Sequence, residues 1–266
     1  MIISIGGCDA GRRYGAVQKP CYLLRSPKDM ESDERLRLLV ELEHSLKTPV
    51  LAAYRRAEMA LEREQPRRED LVVIRALCAK VYAQLSTFRV FARLAAGEKV
   101  EPDLVPLSVS DLQRMLHNAA QDTGALESRR GNRFEFTTEA PDDIAVDVDV
   151  NLLEMAVRSI LDNATKYSYP ETPVRIAISA HKGDQLEISV SNKGLRLRPA
   201  DLPHVFERGW RSSSAASVRG EGSGIGLWVV DQAMKALDGS VEIHPSDDIT
   251  TVTLRLPYSE NANTDR

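Results

Sequence analysis

The chain has 266 residues, room for one or two domains, and its 42% hydrophobic and 28% charged content is that of a globular protein rather than a disordered or fibrous one. Aromatic residues make up 5%, so the cores are expected to be aliphatic. A net charge of −4 excludes a bulk basic field for nucleic acid, and with no span-length apolar run and no basic-then-apolar leader a cytoplasmic protein without a membrane span is expected.

Residues 1–31 are rich in Gly, Cys and Pro and show no helical period. Cys8, Cys21 and Cys78 fit neither a disulfide framework nor a zinc-knuckle spacing, and are read as thiols. From Ser32 the pattern changes. Leu36, Leu39, Val40, Leu46, Val50, Ala53, Ala57 and Leu61 share one helical face, with Ser32 or Asp33 as the cap. QPRRED interrupts it, and Pro66 suits the start of a second helix. That helix carries Leu71, Ile74, Leu77, Val81, Leu85, Phe88 and Leu94 and stops near Gly97. An antiparallel hairpin of two such helices leaves an apolar stripe uncovered, and a homodimer covers it by forming a four-helix bundle.

EPDLVPLS reads as a Pro-punctuated linker. Beyond it, SVSDLQRMLHNAAQDTGA is helical, RFEFTTEA and IAVDVDV are strand-like, and NLLEMAVRSILDNATKYS is helical. VRIAISAHKGDQLEISVSN reads as a hairpin turning at Lys182-Gly183-Asp184. SGIGLWVVDQAMKALDG is a helix ended by Gly239, SVEIHPSDDITTVTLRLP a last hairpin, and residues 259–266 a polar tail. This order implies an α+β sandwich with one face of a sheet covered by helices.

Three segments bear on chemistry. Gly222, Gly224 and Gly226 lead directly into a helix. Glycines let backbone approach a phosphate, and a helix start offers unpaired N–H groups. The helix at LDNATKYS carries Asn163, whose amide oxygen suits magnesium, a hard cation. Lys166, one turn on, can meet a phosphate, and Tyr167 can lie against a base. The stretch RSSSAASVRGEG, with Arg211 at its start and Arg219 within it, has the composition of a phosphate-binding lid. The plain alternatives are an exposed polar helix face and an ordinary glycine loop.

Together these segments resemble the catalytic domain of sensor histidine kinases, a fold shared with gyrase, a mismatch-repair ATPase and a heat-shock chaperone. LDNATKYS resembles the N box, SNKGLRLRPADLPHVF the G1 and F boxes, and GEGSGIGLWVV the G2 box, while EHSLKTPV resembles the H box of the phosphotransfer helix. The resemblance covers residues 32 to about 257. It implies that Asn163 holds Mg2+, Lys166 the phosphates of ATP and Tyr167 the adenine. It implies further that Asn192 and Gly194 line the base pocket, that Arg211 reaches phosphate, and that Gly222, Gly224 and Gly226, with Leu227 after them, form the lid hinge. His44 would be the phosphoacceptor. Pro49, five residues later, removes the helical bond to the Ser45 carbonyl and bends the helix there.

The sequence departs from the family pattern at several positions. The residue after the histidine is Ser45 where many members have an acid. Glu43 precedes it instead, about 100° around the helix, and Thr48, linked in the family to phosphatase activity, is retained. The G1 aspartate is Asn192, the second G1 glycine is Arg196, and the asparagine usual one turn before Asn163 is Ser159. The expected organisation is a short segment at 1–31, a dimerisation and phosphotransfer domain at 32–100, an ATP-binding domain of the GHKL type at 101–258, and a tail. The leading reading is a histidine kinase that passes phosphate from His44 to the receiver domain of a response regulator, with input from a separate sensory partner. The alternative is a nucleotide-binding pseudokinase acting as a dimeric scaffold.

Overall fold

The computed structural model describes residues 32–63, 65, 67–127, 130–181, 185–212 and 224–258. The expectations for residues 1–31, Pro66, the turn at 182–184, Arg219, Gly222 and the tail lie outside the described residues.

Two long helices come first, α1 (Ser32–Leu61) and α2 (Arg68–Ala95), packed along each other. Helix α1 runs through Pro49, which is buried, without interruption. The hairpin is tied near its turn by Asp70, a buried carboxylate paired with Arg56 at 2.7 Å and with Arg63. Gly97, at φ +79°, follows the end of α2 as expected. Val50, Leu51 and Tyr54 of α1 and Leu71, Tyr82 and Leu85 of α2 are exposed. By length and composition, residues 68–94 could cross a membrane, a property the sequence reading did not anticipate. In the fold this helix packs on α1 and on the three helices that follow, and its Arg75 and Lys80 pair with Asp122 and Asp162.

The run read as a linker contains a strand, β1 (Val105–Ser108), which pairs antiparallel with β3 (Ala145–Val148). Pro106 is tolerated because this two-stranded ribbon leaves one edge of β1 unpaired. Ser108 then caps α3 (Val109–Leu126), its Oγ accepting from the Asp111 N–H at 3.1 Å. Asp149 caps α4 (Val150–Tyr167) in the same way, accepting from Asn151 and Leu152. Buried Leu152, Leu153, Ala156, Ile160, Leu161 and Ala164 recur along α4 at helical spacing.

The main sheet has the order β2-β4-β5-β7-β6, built from β2 (Phe134–Thr138), β4 (Val174–His181), β5 (Gln185–Lys193), β6 (Ser240–Ser246) and β7 (Ile249–Pro257). Only the β2–β4 pair is parallel, and α4 lies in the crossover between them. Along β5, Leu186, Ile188, Val190 and Asn192 are buried, and Glu187, Ser189 and Ser191 face the other side, half-buried. The buried residues of β4, β5 and β7 join α3, α4 and α5 (Gly226–Ala236) in one aliphatic core, as the α+β reading expected. Val90 and Phe91 of α2 belong to the same core, with Phe91 edge-on to Trp228 of α5 at 5.7 Å. A 3-10 helix at Pro199–His204, not anticipated, precedes α5.

Candidate active site

The last turns of α4 and the end of β5 meet. Gly194 forms an isolated antiparallel bridge with Ser168, the Leu195 N–H donates to the Tyr167 carbonyl at 2.9 Å, and the Tyr169 N–H to that of Lys193 at 2.9 Å. A Cβ on Gly194 would lie 2.0 Å from the Tyr167 oxygen and 2.8 Å from the Ser168 Cα. The contact is backbone on backbone, so glycine is required there for lack of space. It sets the last turn of α4, with Lys166 and Tyr167, against the end of β5, where Asn192 lies, and Gly194 just after it. The Lys166 ammonium lies 5.5 Å from the Tyr167 ring centroid, within cation–π range.

Asn192 is 8% exposed, opposite Val174 and Thr250 in the sheet register. Its side-chain amide has no hydrogen-bond partner among the described residues, and neither has that of half-buried Asn163. Both amides therefore keep donor and acceptor capacity that a polar ligand can take up.

The glycine segment closes the arrangement. Gly224 has φ +68°, and its Cβ would meet Gly209 and Trp210 backbone at 2.7 Å. Its carbonyl accepts from the Gly209 N–H at 3.1 Å, which fastens the segment to the loop after the 3-10 helix. Gly226 opens α5 against α4, its Cβ position 2.8 Å from the Ser159 Oγ. The residue before it, Ile225, makes no side-chain cap. Leu227 and Arg211 are both half-buried. Nearby, Arg198 grips the buried Asp201 with two bonds of 3.0 and 2.9 Å. The Arg198 hydrogen bond holds the Asp201 carboxyl below its ordinary range, outweighing the opposing effect of burial.

The H-box residues lie elsewhere. His44 sits within α1, and the placement of its side chain, like that of Ser45, is outside what is described. Glu43 and Thr48 are exposed, and Glu43 pairs with Lys47 at 3.7 Å. Helix α1 packs along α2, and α2 in turn packs on α3, α4 and α5. Gly194 thus meets the end of α4 and Gly226 meets α4 at Ser159, and the helix carrying His44 is reached through α2. A charged network that the sequence reading missed joins α2 to this unit. Asp122 of α3 binds both Arg75 of α2 and Arg158 of α4, at 2.9 and 3.0 Å. Lys80 of α2 pairs with Asp162, next to Asn163, at 3.3 Å.

Residues 148–260 match the family described as histidine kinase-, DNA gyrase B-, and HSP90-like ATPase. Across 241 residues the chain is 28% identical to the sensor histidine kinase TrcS of Mycobacterium tuberculosis, covering 87% of this chain and 45% of that protein. Across 230 residues it is 29% identical to the signal transduction histidine-protein kinase/phosphatase MprB of Mycolicibacterium vanbaalenii, covering 80% and 43%. A solved mycobacterial sensor histidine kinase MprB matches at TM-score 0.50 and 25% identity, over 58% of this chain and 97% of that one. Full-length ShkA in complex with AMPPNP shares the fold, with TM-score 0.56 and 22% identity over 85% and 47%. The chain spans about half the length of the curated relatives it matches.

Residues 148–260 therefore form a domain of this ATPase family. With the helical hairpin before it, the chain has the architecture of a sensor histidine kinase core.

Proposed function

We propose that the chain is an ATP-dependent protein histidine kinase of a two-component system, which phosphorylates His44 and passes the phosphoryl group to an aspartate on a response-regulator receiver domain. The observation that carries this reading is the backbone seam at Gly194, which sets the last turn of α4 against the end of the strand that holds Asn192. The Asn192 amide suits the edge of an adenine, and Tyr167 supplies a ring face for the base. Lys166 and Arg211 would take phosphate charge, and Gly222, Gly224, Gly226 and Leu227 form the segment that lets backbone approach it. Among the described residues no cluster of three or more His, Cys, Asp or Glu side chains could cage a metal. A cation held by the Asn163 oxygen and the nucleotide's own phosphates fits Mg2+, which keeps most of its ligands as water and phosphate. When bound, it would neutralise charge on the phosphates.

In the reaction, one ring nitrogen of neutral His44 attacks the γ-phosphorus. The N–P bond forms as the bond to the β-phosphate oxygen breaks, and ADP leaves. The imidazole proton goes to a base, for which Glu43 is the nearest carboxylate in sequence, with Thr48 available for the later dephosphorylation. An aspartate oxygen of the receiver domain then takes the phosphoryl group from nitrogen. In this reading residues 32–100 are the dimerisation and phosphotransfer domain and residues 101–258 the ATP-binding domain. The exposed Val50, Tyr54, Leu71 and Leu85 stripe favours a homodimer.

The test is incubation of the purified protein with γ-labelled ATP and Mg2+. The label should be acid-labile and base-stable, and His44→Gln should abolish it without changing ATP affinity. ATP binding with no label on the wild type or on Ser45→Glu would sink the kinase reading for this protein.

A further inference from the structure

The last bond of the α4 ladder runs from the Ser168 N–H to the Ala164 carbonyl at 3.0 Å. The next three carbonyls have no helical donor. That of Tyr167 accepts from the Leu195 N–H beside Gly194. The other two, on Thr165 and Lys166, both accept from one guanidinium nitrogen, Nη1 of Arg130, the Lys166 bond measuring 2.8 Å. Arg130 lies in the connection between α3 and β2, outside every motif the sequence reading used. Its own carbonyl accepts from the Glu171 N–H at 2.9 Å, so its backbone is tied to the turn that follows α4. A fixed cation at the carbonyl end of a helix also sits where the helix dipole favours it.

We infer that Arg130 is a positioning residue for the nucleotide site. It holds the final turn of α4 so that Lys166 and Tyr167, the two residues at that turn, are presented to the phosphates and base of a nucleoside triphosphate. By fixing the Thr165 and Lys166 carbonyls it also steadies the next residue, Tyr167, whose carbonyl forms the seam at Gly194. This rests on the reading of the site as nucleotide-binding. Lysine would be only a partial substitute, because its ammonium keeps the charge but is held less firmly on its flexible stem.

The experiment is calorimetric titration of the full chain with ATP and Mg2+. Arg130→Met is expected to raise Kd about tenfold, the usual consequence of losing hydrogen bonds from a charged donor, and Arg130→Lys about threefold. Hydrogen exchange at the Leu195 amide should quicken in Arg130→Met while the amides of the β5–β7 ladder keep their protection. An Arg130 with only a structural role would lower the melting temperature of both variants and leave their Kd, measured below melting, unchanged; that result overturns the inference. Should Arg130→Met fail to fold, Arg130→Lys decides by the same criterion. A wild type that does not bind ATP removes the nucleotide-site reading, and this inference with it. Binding by the wild type with unaltered variants removes this inference alone.

Discussion

Nη2 of Arg75, on the hairpin helix α2, lies 2.9 Å from Oδ1 of Asp122 on α3. The carboxylate is nearly buried, with 7% side-chain exposure, and its second oxygen takes Arg158 of α4 at 3.0 Å. The two arginines are not equivalent, since Arg75 is half exposed and Arg158 is not. Asp122→Ala should therefore destabilise the fold by about 1–2 kcal/mol, because Arg158, largely buried, is left with Glu154 alone at 2.8 Å. Arg75→Gln should change global stability little and loosen the seat of α2. Small-angle scattering checks this: a larger radius of gyration for Arg75→Gln at an unchanged melting temperature is the expected outcome, and an identical profile would contradict it.

Asp70 predicts an acid limb in the stability of the hairpin. Burial pushes its carboxyl up, but Arg63, Arg56 and the Arg67 backbone together more than offset this, and the folded value lies below the ordinary 3.8. A depressed carboxyl contributes stability that is fully present above its unfolded value and is lost as pH falls through the folded one. Melting temperature should accordingly fall between about pH 5 and pH 2 in the wild type, and less steeply in Asp70→Asn. Parallel curves for the two proteins would show that Asp70 is not the group responsible.

Two glycines should respond to alanine very differently. Gly97 has φ +79° and nothing within 4 Å of its Cβ position, so Gly97→Ala should cost only left-handed strain, about 1 kcal/mol. Gly194 meets backbone at 2.0 Å, and Gly194→Ala should cost about 3 kcal/mol or more because neither chain can step aside cheaply. It should also abolish ATP binding. Denaturant titration of both variants, with calorimetry on the second, makes the comparison.

Asn192 should matter for binding more than for stability. Asn192→Leu, of similar volume, is expected to weaken ATP binding by an order of magnitude or so. Asn192→Asp should tighten binding, because a charged acceptor makes the stronger hydrogen bond. Calorimetric titration of both variants checks this, and equal binding by Asn192→Leu and the wild type would remove Asn192 from the site.

The exposed apolar stripe bears on assembly. Leu85→Glu, at a residue 47% exposed in the single chain, should leave the monomer folded and shift light scattering from dimer to monomer at micromolar concentration. A wild type already monomeric and folded there would contradict the bundle.

Much of this was legible in the sequence, for identifiable reasons. Helix α4 announces itself through its apolar period, and the β4–β5 and β6–β7 hairpins through alternation. Strand β1 was hidden because Pro102 and Pro106 read as punctuation, while the ribbon edge on which β1 lies needs no donor from proline. The grouping of Asn163, Asn192 and Gly194 followed from the family boxes; the backbone seam that enforces it did not. Arg130 and the Asp122 network were invisible for another reason. Their partners lie 35 to 47 positions away, and a single charge carries no period by which to find its mate.

The edge-on contact of Phe91 with Trp228 ties one end of α2 to the first turn of α5. Indole emission depends on its surroundings, and the chain has only two tryptophans, the other being Trp210 beside His204. With Trp210 replaced by phenylalanine, a single native fluorophore remains at the seam between the helical hairpin and the glycine-led helix. Separation of the two would then register as a change in the colour of emitted light, with no label attached.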